Sequence, residues 1–251
     1  KFQRDNELTF KLDQILVSSG GKQSCYNACQ VLLGSGDEAI IPAPHWVSFP
    51  DMVRLADAEP VIVRTDATAG FRITAEQLAS AITERTRALI INSPCNPTGS
   101  AYTRTDWEML GDVLSEHPHI FIITDDIYEH IYWGPEPFCS FLTACPQLAP
   151  RTLTVNGVSK CYAMTGWRIG YAAGPEAIIK AMTAIQSQST TNACTISQVA
   201  AETALNGDQT TVTKMCAAFK ERHDYVINAL NQLTGFDCRP CEGTFYAFPN
   251  I

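Results

Sequence analysis

The sequence predicts an α/β fold: a mostly parallel sheet covered by helices on both faces. Two observations carry this. Short apolar runs of strand length alternate with longer stretches of helical periodicity. The loops that follow the apolar runs hold glycines, prolines and polar side chains. A chain of 251 residues with 45% hydrophobic content is long enough to bury a full-sized core.

Ile15-Leu16-Val17 reads as the first strand, and Gly21 to Leu33 as a helix opening just after two glycines. Ala39-Ile40-Ile41 is a strand, Val47 to Ala56 a helix, Val61-Ile62-Val63 a strand. Thr74 is placed to cap a helix running to Ile82, with Gln77 at capping-box spacing. Ala88 to Ile91 has the all-apolar look of a buried strand. A helix from Thr103 to Glu116 and a strand from Ile120 to Thr124 follow. Thr152 to Val155 and Arg168 to Ala172 are further strands. From Pro175 the pattern turns helical: Glu176 to Gln186, Ser197 to Leu205, and a long stretch from Thr211 to Leu233. Phe245-Tyr246-Ala247-Phe248 reads as the first strand of a second domain. The expected division is a large domain over 1–220 and the start of a small α+β domain over 221–251.

A net charge of −8 leaves no basic surplus to neutralise phosphates, which argues against a nucleic-acid binder. No apolar run is long enough to suggest a membrane span, and the polar start of the chain lacks a signal-peptide core. The ten cysteines are scattered. Cys238 and Cys241 have CxxC spacing, but no second ligand pair accompanies them, so no metal site is expected. Reduced thiols in a cytoplasmic protein are the expectation.

In sheets of this kind ligands bind beyond the carboxyl ends of the strands, so the loops there deserve the search. Lys160 follows a strand, and Arg168 follows one short loop later. A lysine amine can form an imine with a carbonyl, and an arginine can fork onto phosphate oxygens. Together they suit a phosphorylated aldehyde such as pyridoxal phosphate (PLP). For an isolated pair, two surface side chains would be the simpler reading. Here other loops supply matching parts. Gly20-Gly21-Lys22 opens a helix, where free amides attract anions, although a double glycine can be just a turn. Asn96 offers an amide in the rigid loop Asn92 to Gly99, which alone would also read as a turn. Asp125 at a strand end can pair with a pyridinium nitrogen or can cap a helix. Tyr128 can return its hydroxyl toward a ring oxygen. Trp46 can stack on a flat ring or belong to the core.

These segments resemble the fold-type-I PLP-dependent aminotransferases, nearest the bacterial-type aspartate aminotransferases. The resemblance rests on Gly20-Gly21-Lys22, Pro44 to Ser48, Asn92 to Gly99, Asp125 to His130, and Ser159-Lys160 through Gly170, in the family's order. It implies that the fold is the large domain of a PLP-dependent transferase. Lys160 would hold PLP as an imine and then move the Cα proton, with Asp125 on the ring nitrogen. Tyr128 and Asn96 would bond the ring oxygen, and Trp46 would stack on the ring. Gly21, Lys22, Ser159 and Arg168 would hold the phosphate. Trp46, Asn96 and Lys22 would also meet the substrate. The implied activity moves an amino group from aspartate to 2-oxoglutarate, in a homodimer. An aromatic or other aminotransferase, a PLP-dependent β-lyase and a PLP-sensing domain of a transcription regulator are the alternatives. The family's N-terminal segment and most of its small domain have no counterpart here, so the chain is expected to be a fragment.

Overall fold

The computed structural model describes residues 1–251. Its seven strands are β1 (Ile15–Ser18), β2 (Glu38–Ala43), β3 (Glu59–Arg64), β4 (Thr86–Asn92), β5 (Phe121–Asp125), β6 (Thr152–Gly157) and β7 (Gly170–Ala173). They form one sheet in the order β1-β7-β6-β5-β4-β2-β3. The pairs β2·β3, β2·β4, β4·β5 and β5·β6 are parallel, whereas β7 runs antiparallel to both neighbours. β1 therefore points the same way as β6. The ends of β1, β2, β4, β5 and β6, and the beginning of β7, all reach one edge of the sheet.

Residue parity divides the core. Ile41, Ile90, Ile123 and Val155 face one apolar layer, which the helices α2 (Gly21–Leu32), α3 (Ser48–Arg54) and α7 (Glu176–Ser187) cover. Ile40, Leu89, Ile91 and Ile122 face the other, beneath α4 (Ala75–Ala81) and α5 (Arg104–Ser115). Trp107 fills that second layer, fully buried, with its indole N–H on the Cys139 carbonyl at 2.9 Å. Thr74 caps α4 and Gln77 returns the bond, as the spacing predicts. Thr103 and Asp106 form the same reciprocal pair on α5. Each such cap is worth about 1 kcal/mol.

The remaining helices are α1 (Phe2–Asn6), α6 (Phe141–Ala144), α8 (Thr195–Asn206) and α9 (Thr210–Leu230), counted by their place among all nine. None is long and apolar enough to cross a membrane. Two expectations need correction. Arg168 lies outside its strand: its φ is +55°, and β7 begins only at Gly170. Phe245 to Phe248 forms no strand. The segment before it is instead stitched to other loops, by Thr244 N–H on the Ile131 carbonyl (2.8 Å) and Gly243 N–H on the Gly99 carbonyl (3.0 Å).

Candidate active site

At the carboxyl edge of the sheet lies a cavity of ≈ 300 Å³. Every residue singled out above lines it: Gly21, Lys22, Trp46, Asn96, Asp125, Tyr128, Ser159, Lys160 and Arg168. They arrive from five loops, and Asn92, Ile127, Thr165 and Tyr246 complete the wall.

The end nearest β1 is built for an anion. Gly20 precedes α2 with φ +88°, a conformation that favours glycine. The Arg168 guanidinium packs onto the Cα of Gly20, in space that a Cβ would fill. Arg168 is anchored by donating from Nη1 to the Thr165 carbonyl at 2.8 Å. Gly170 brings β7 against the backbone of Gly20 and Gly21, where a Cβ would collide with the Gly21 nitrogen. The helix N-terminus, its bare amides and the guanidinium thus face one place. Ser159 is buried beside them.

Asp125 ends β5 and is buried. Its Oδ1 accepts from the Ile127 N–H at 3.2 Å, while residues 127–130 turn without forming a helix. The alternative role as a helix cap thus reduces to an Asx-type turn. Burial raises the pKa of Asp125 to about 6, against the opposing pull of the Ile127 amide and Lys160. Burial also lowers the pKa of Lys160; Asp125 opposes that shift and Arg168 adds to it. The Lys160 Nζ sits 5.7 Å from the ring centres of both Tyr128 and Phe245.

Asn92 was not foreseen. Its Oδ1 accepts from the Asn96 N–H at 2.7 Å and its Nδ2 donates to the Asp125 carbonyl at 2.7 Å. One amide thereby fixes the Asn96 loop to the strand end that carries Asp125. Tyr246 was missed too, because the sequence reads as a strand there. Its hydroxyl accepts from Asn96 Nδ2 at 3.1 Å and lies 2.7 Å from the Tyr128 hydroxyl. Trp46 is half-buried, edge-on to Phe49 at 5.3 Å, with Lys22 Nζ 4.8 Å from its ring centre. The Lys22 side chain is exposed and also donates to Ser48 Oγ at 3.1 Å.

A lysine amine, a buried carboxylate and an anion cradle at the edge of this sheet define the class: the fold of the aminotransferases. The particular family follows from the whole chain. Residues 1–251 match the aminotransferase class I and II family, and the chain belongs to it. It is 53% identical over 251 residues to an aspartate/prephenate aminotransferase of Nitrosomonas europaea, covering all of this chain and 63% of that protein. It is 49% identical over 248 residues to an aspartate aminotransferase of Rhizobium meliloti, covering 99% and 60%. The crystal structure of the Rhizobium meliloti aspartate aminotransferase superposes with a TM-score of 0.97 at 50% identity, over 99% of this chain and 62% of that one. An aromatic aminotransferase from Pyrococcus horikoshii gives 0.94 at 36% identity, over 99% and 66%. The chain thus spans about three fifths of the length of the curated relatives it matches.

Proposed function

We propose that the intact protein is a PLP-dependent aminotransferase, taking the amino group of aspartate and passing it to a 2-oxo acid such as 2-oxoglutarate. The observation that carries this reading is the convergence of amine, carboxylate, phenol, amide, indole and guanidinium in one cavity. These groups fit PLP. The Gly20–Gly21 turn and Arg168 suit a phosphate, and the buried Asp125 suits a cationic ring nitrogen. Tyr128 and Asn96 suit the ring oxygen, and Trp46 suits the ring face. When bound, PLP supplies the electron sink for the pair released at the substrate's Cα.

Lys160 would be the residue that holds PLP covalently through its amine, and its freed amine would carry the proton between the substrate's Cα and the cofactor. Burial supports this role, because a lowered pKa leaves more of the amine neutral. Asp125 would keep the ring nitrogen protonated, and a charged partner would in turn favour its ionised form. Asn96 and Lys22 orient the substrate's carboxylates. Relatives named aspartate/prephenate aminotransferase make prephenate a second acceptor to test. The exposed Val47 and Trp167, next in sequence to the cavity residues Trp46 and Arg168, support reading the intact protein as a homodimer. Residues 221–251 are read as the beginning of a small domain.

The test is an absorbance spectrum of the intact, PLP-loaded protein with a panel of amino acids, followed by borohydride trapping. Bleaching by aspartate, and a labelled peptide that Lys160→Ala abolishes, are expected. Label at another lysine, or no bleaching by any amino acid, overturns the reading. Release of pyruvate and ammonia would point to a β-lyase.

A further inference from the structure

Tyr246 touches the two groups assigned to the ring oxygen. Its hydroxyl lies 2.7 Å from that of Tyr128 and 3.1 Å from Asn96 Nδ2. The same loops hold it in place. Gly243 is bonded to Gly99 in the Asn96 loop, while Thr244 and Glu242 are bonded to Ile131 and Trp133, just beyond Tyr128. Tyr246 N–H further donates to Thr244 Oγ1 at 3.3 Å.

A count of donors and acceptors decides what this contact can do. Asn96 Nδ2 has two N–H groups. One serves Tyr246, which leaves the other free. The Tyr246 oxygen accepts from Asn96, so its own O–H can point at Tyr128. Tyr128 then accepts from Tyr246, which frees its single O–H for a ring oxygen. Every proton in this arrangement has one destination, and the ring oxygen receives two donors. The reverse orientation, Tyr128 donating to Tyr246, would leave the ring oxygen without the phenol.

We propose that Tyr246 is a positioning residue for the cofactor: it donates to Tyr128 and so orients and strengthens the hydrogen bond that Tyr128 makes to the ring oxygen. This rests on the reading of the cavity as a PLP site. Chained hydroxyls polarise one another, so a donor behind Tyr128 makes it a better donor in front. Drawing charge from the ring oxygen weakens that oxygen's hold on the neighbouring proton. The visible absorbance of bound PLP then changes with pH at a lower midpoint than it otherwise would. Burial raises the pKa of Tyr128 and so keeps its proton in place to be donated.

The experiment compares the intact wild-type protein with Tyr246→Phe, Tyr128→Phe and the double variant. The phenylalanine keeps the packing of this ring on Phe245 and Tyr128, whose centres lie 4.9 and 5.9 Å away. Two quantities are read: the Kd of PLP on the cofactor-free protein, and the pH midpoint of the bound chromophore. Tyr246→Phe should weaken PLP about threefold to tenfold, the worth of one hydrogen bond in a partly dry site. It should raise the midpoint by about half a pH unit, less than Tyr128→Phe does. In the Tyr128→Phe background it should add almost nothing, because its effect travels through that hydroxyl. Wild-type values in Tyr246→Phe, or equal shifts with and without the Tyr128 hydroxyl, overturn the proposal while leaving the site intact. Failure of wild-type protein to take up PLP overturns the reading of the cavity itself, and this proposal with it.

Discussion

Gly243 donates its backbone N–H to the carbonyl of Gly99 at 3.0 Å, tying the last stretch of the chain to the loop that carries Asn96. Gly99 adopts φ +71°, and a Cβ there would come within 2.6 Å of the Gly243 oxygen and collide with Cys241 Sγ. Two separate constraints therefore demand glycine at one position.

Gly99→Ala should lower stability by about 1–3 kcal/mol through the strained φ and the lost approach. It should also release the segment that presents Phe245 and Tyr246. Thermal melting measures the first effect, and protease cleavage near residues 241–248 measures the second. A variant that melts with wild type and resists cleavage there would show that the two loops are not held by this contact.

Asp126 is buried, and its Oδ1 has no hydrogen-bond partner. Burial, and then the neighbouring Glu129, push its pKa well above the carboxylate range, with Lys1 opposing. The folded state therefore keeps a proton that the unfolded chain releases. Below the unfolded pKa of about 4 the group is neutral in both states. As pH rises from there through the folded pKa, stability falls. Asp126→Asn should remove that loss, raising the melting temperature at pH 7 by an amount worth about 1–3 kcal/mol. The gain should shrink toward zero at pH 4. An equal gain at both pH values would mean that packing, not ionisation, is the cause.

The strands were legible because their apolar, β-branched runs are short and bounded by turn residues. The candidate site was legible where its residues follow a strand end: Asn96, Asp125 and Lys160 each lie at or just past one. What local pattern could not reveal depends on distant partners. Tyr246 meets Tyr128 across 118 residues, and its surroundings read as a strand because Phe, Tyr, Ala and Phe are strand-like in isolation. The φ of Arg168 also has no local signature. It goes with a guanidinium packed over Gly20, a contact 148 residues away in sequence.

The proposed function gives Asp125 two duties, which a single substitution separates. Asn can still accept the Ile127 N–H, since the side-chain oxygen is retained. It cannot pair as an anion with a protonated ring nitrogen. Asp125→Asn should therefore fold normally, yet slow removal of the substrate's Cα proton by about 100-fold, the scale of losing one electrostatic contact in a dry site. Rapid-mixing absorbance with aspartate measures this. A folded variant with a near-normal rate would leave Asp125 with only its turn.

Lys22 decides between two sources of substrate preference. Its ammonium stands beside the face of Trp46 at 4.8 Å and donates to Ser48 at 3.1 Å, at the open side of the cavity. Being exposed, it can turn from Ser48 toward a carboxylate at little expense, and the face of Trp46 would keep it close to the cavity. If it receives the distal carboxylate of aspartate, Lys22→Ala should raise the KM for aspartate about tenfold or more. An aromatic amino acid, which has no distal carboxylate, should lose little. The contrast matters because structural neighbours include both an aspartate and an aromatic aminotransferase on this same fold. Equal losses for both donors would assign Lys22 to holding Trp46 or the phosphate. A preference for aspartate would then have to rest on residues other than Lys22.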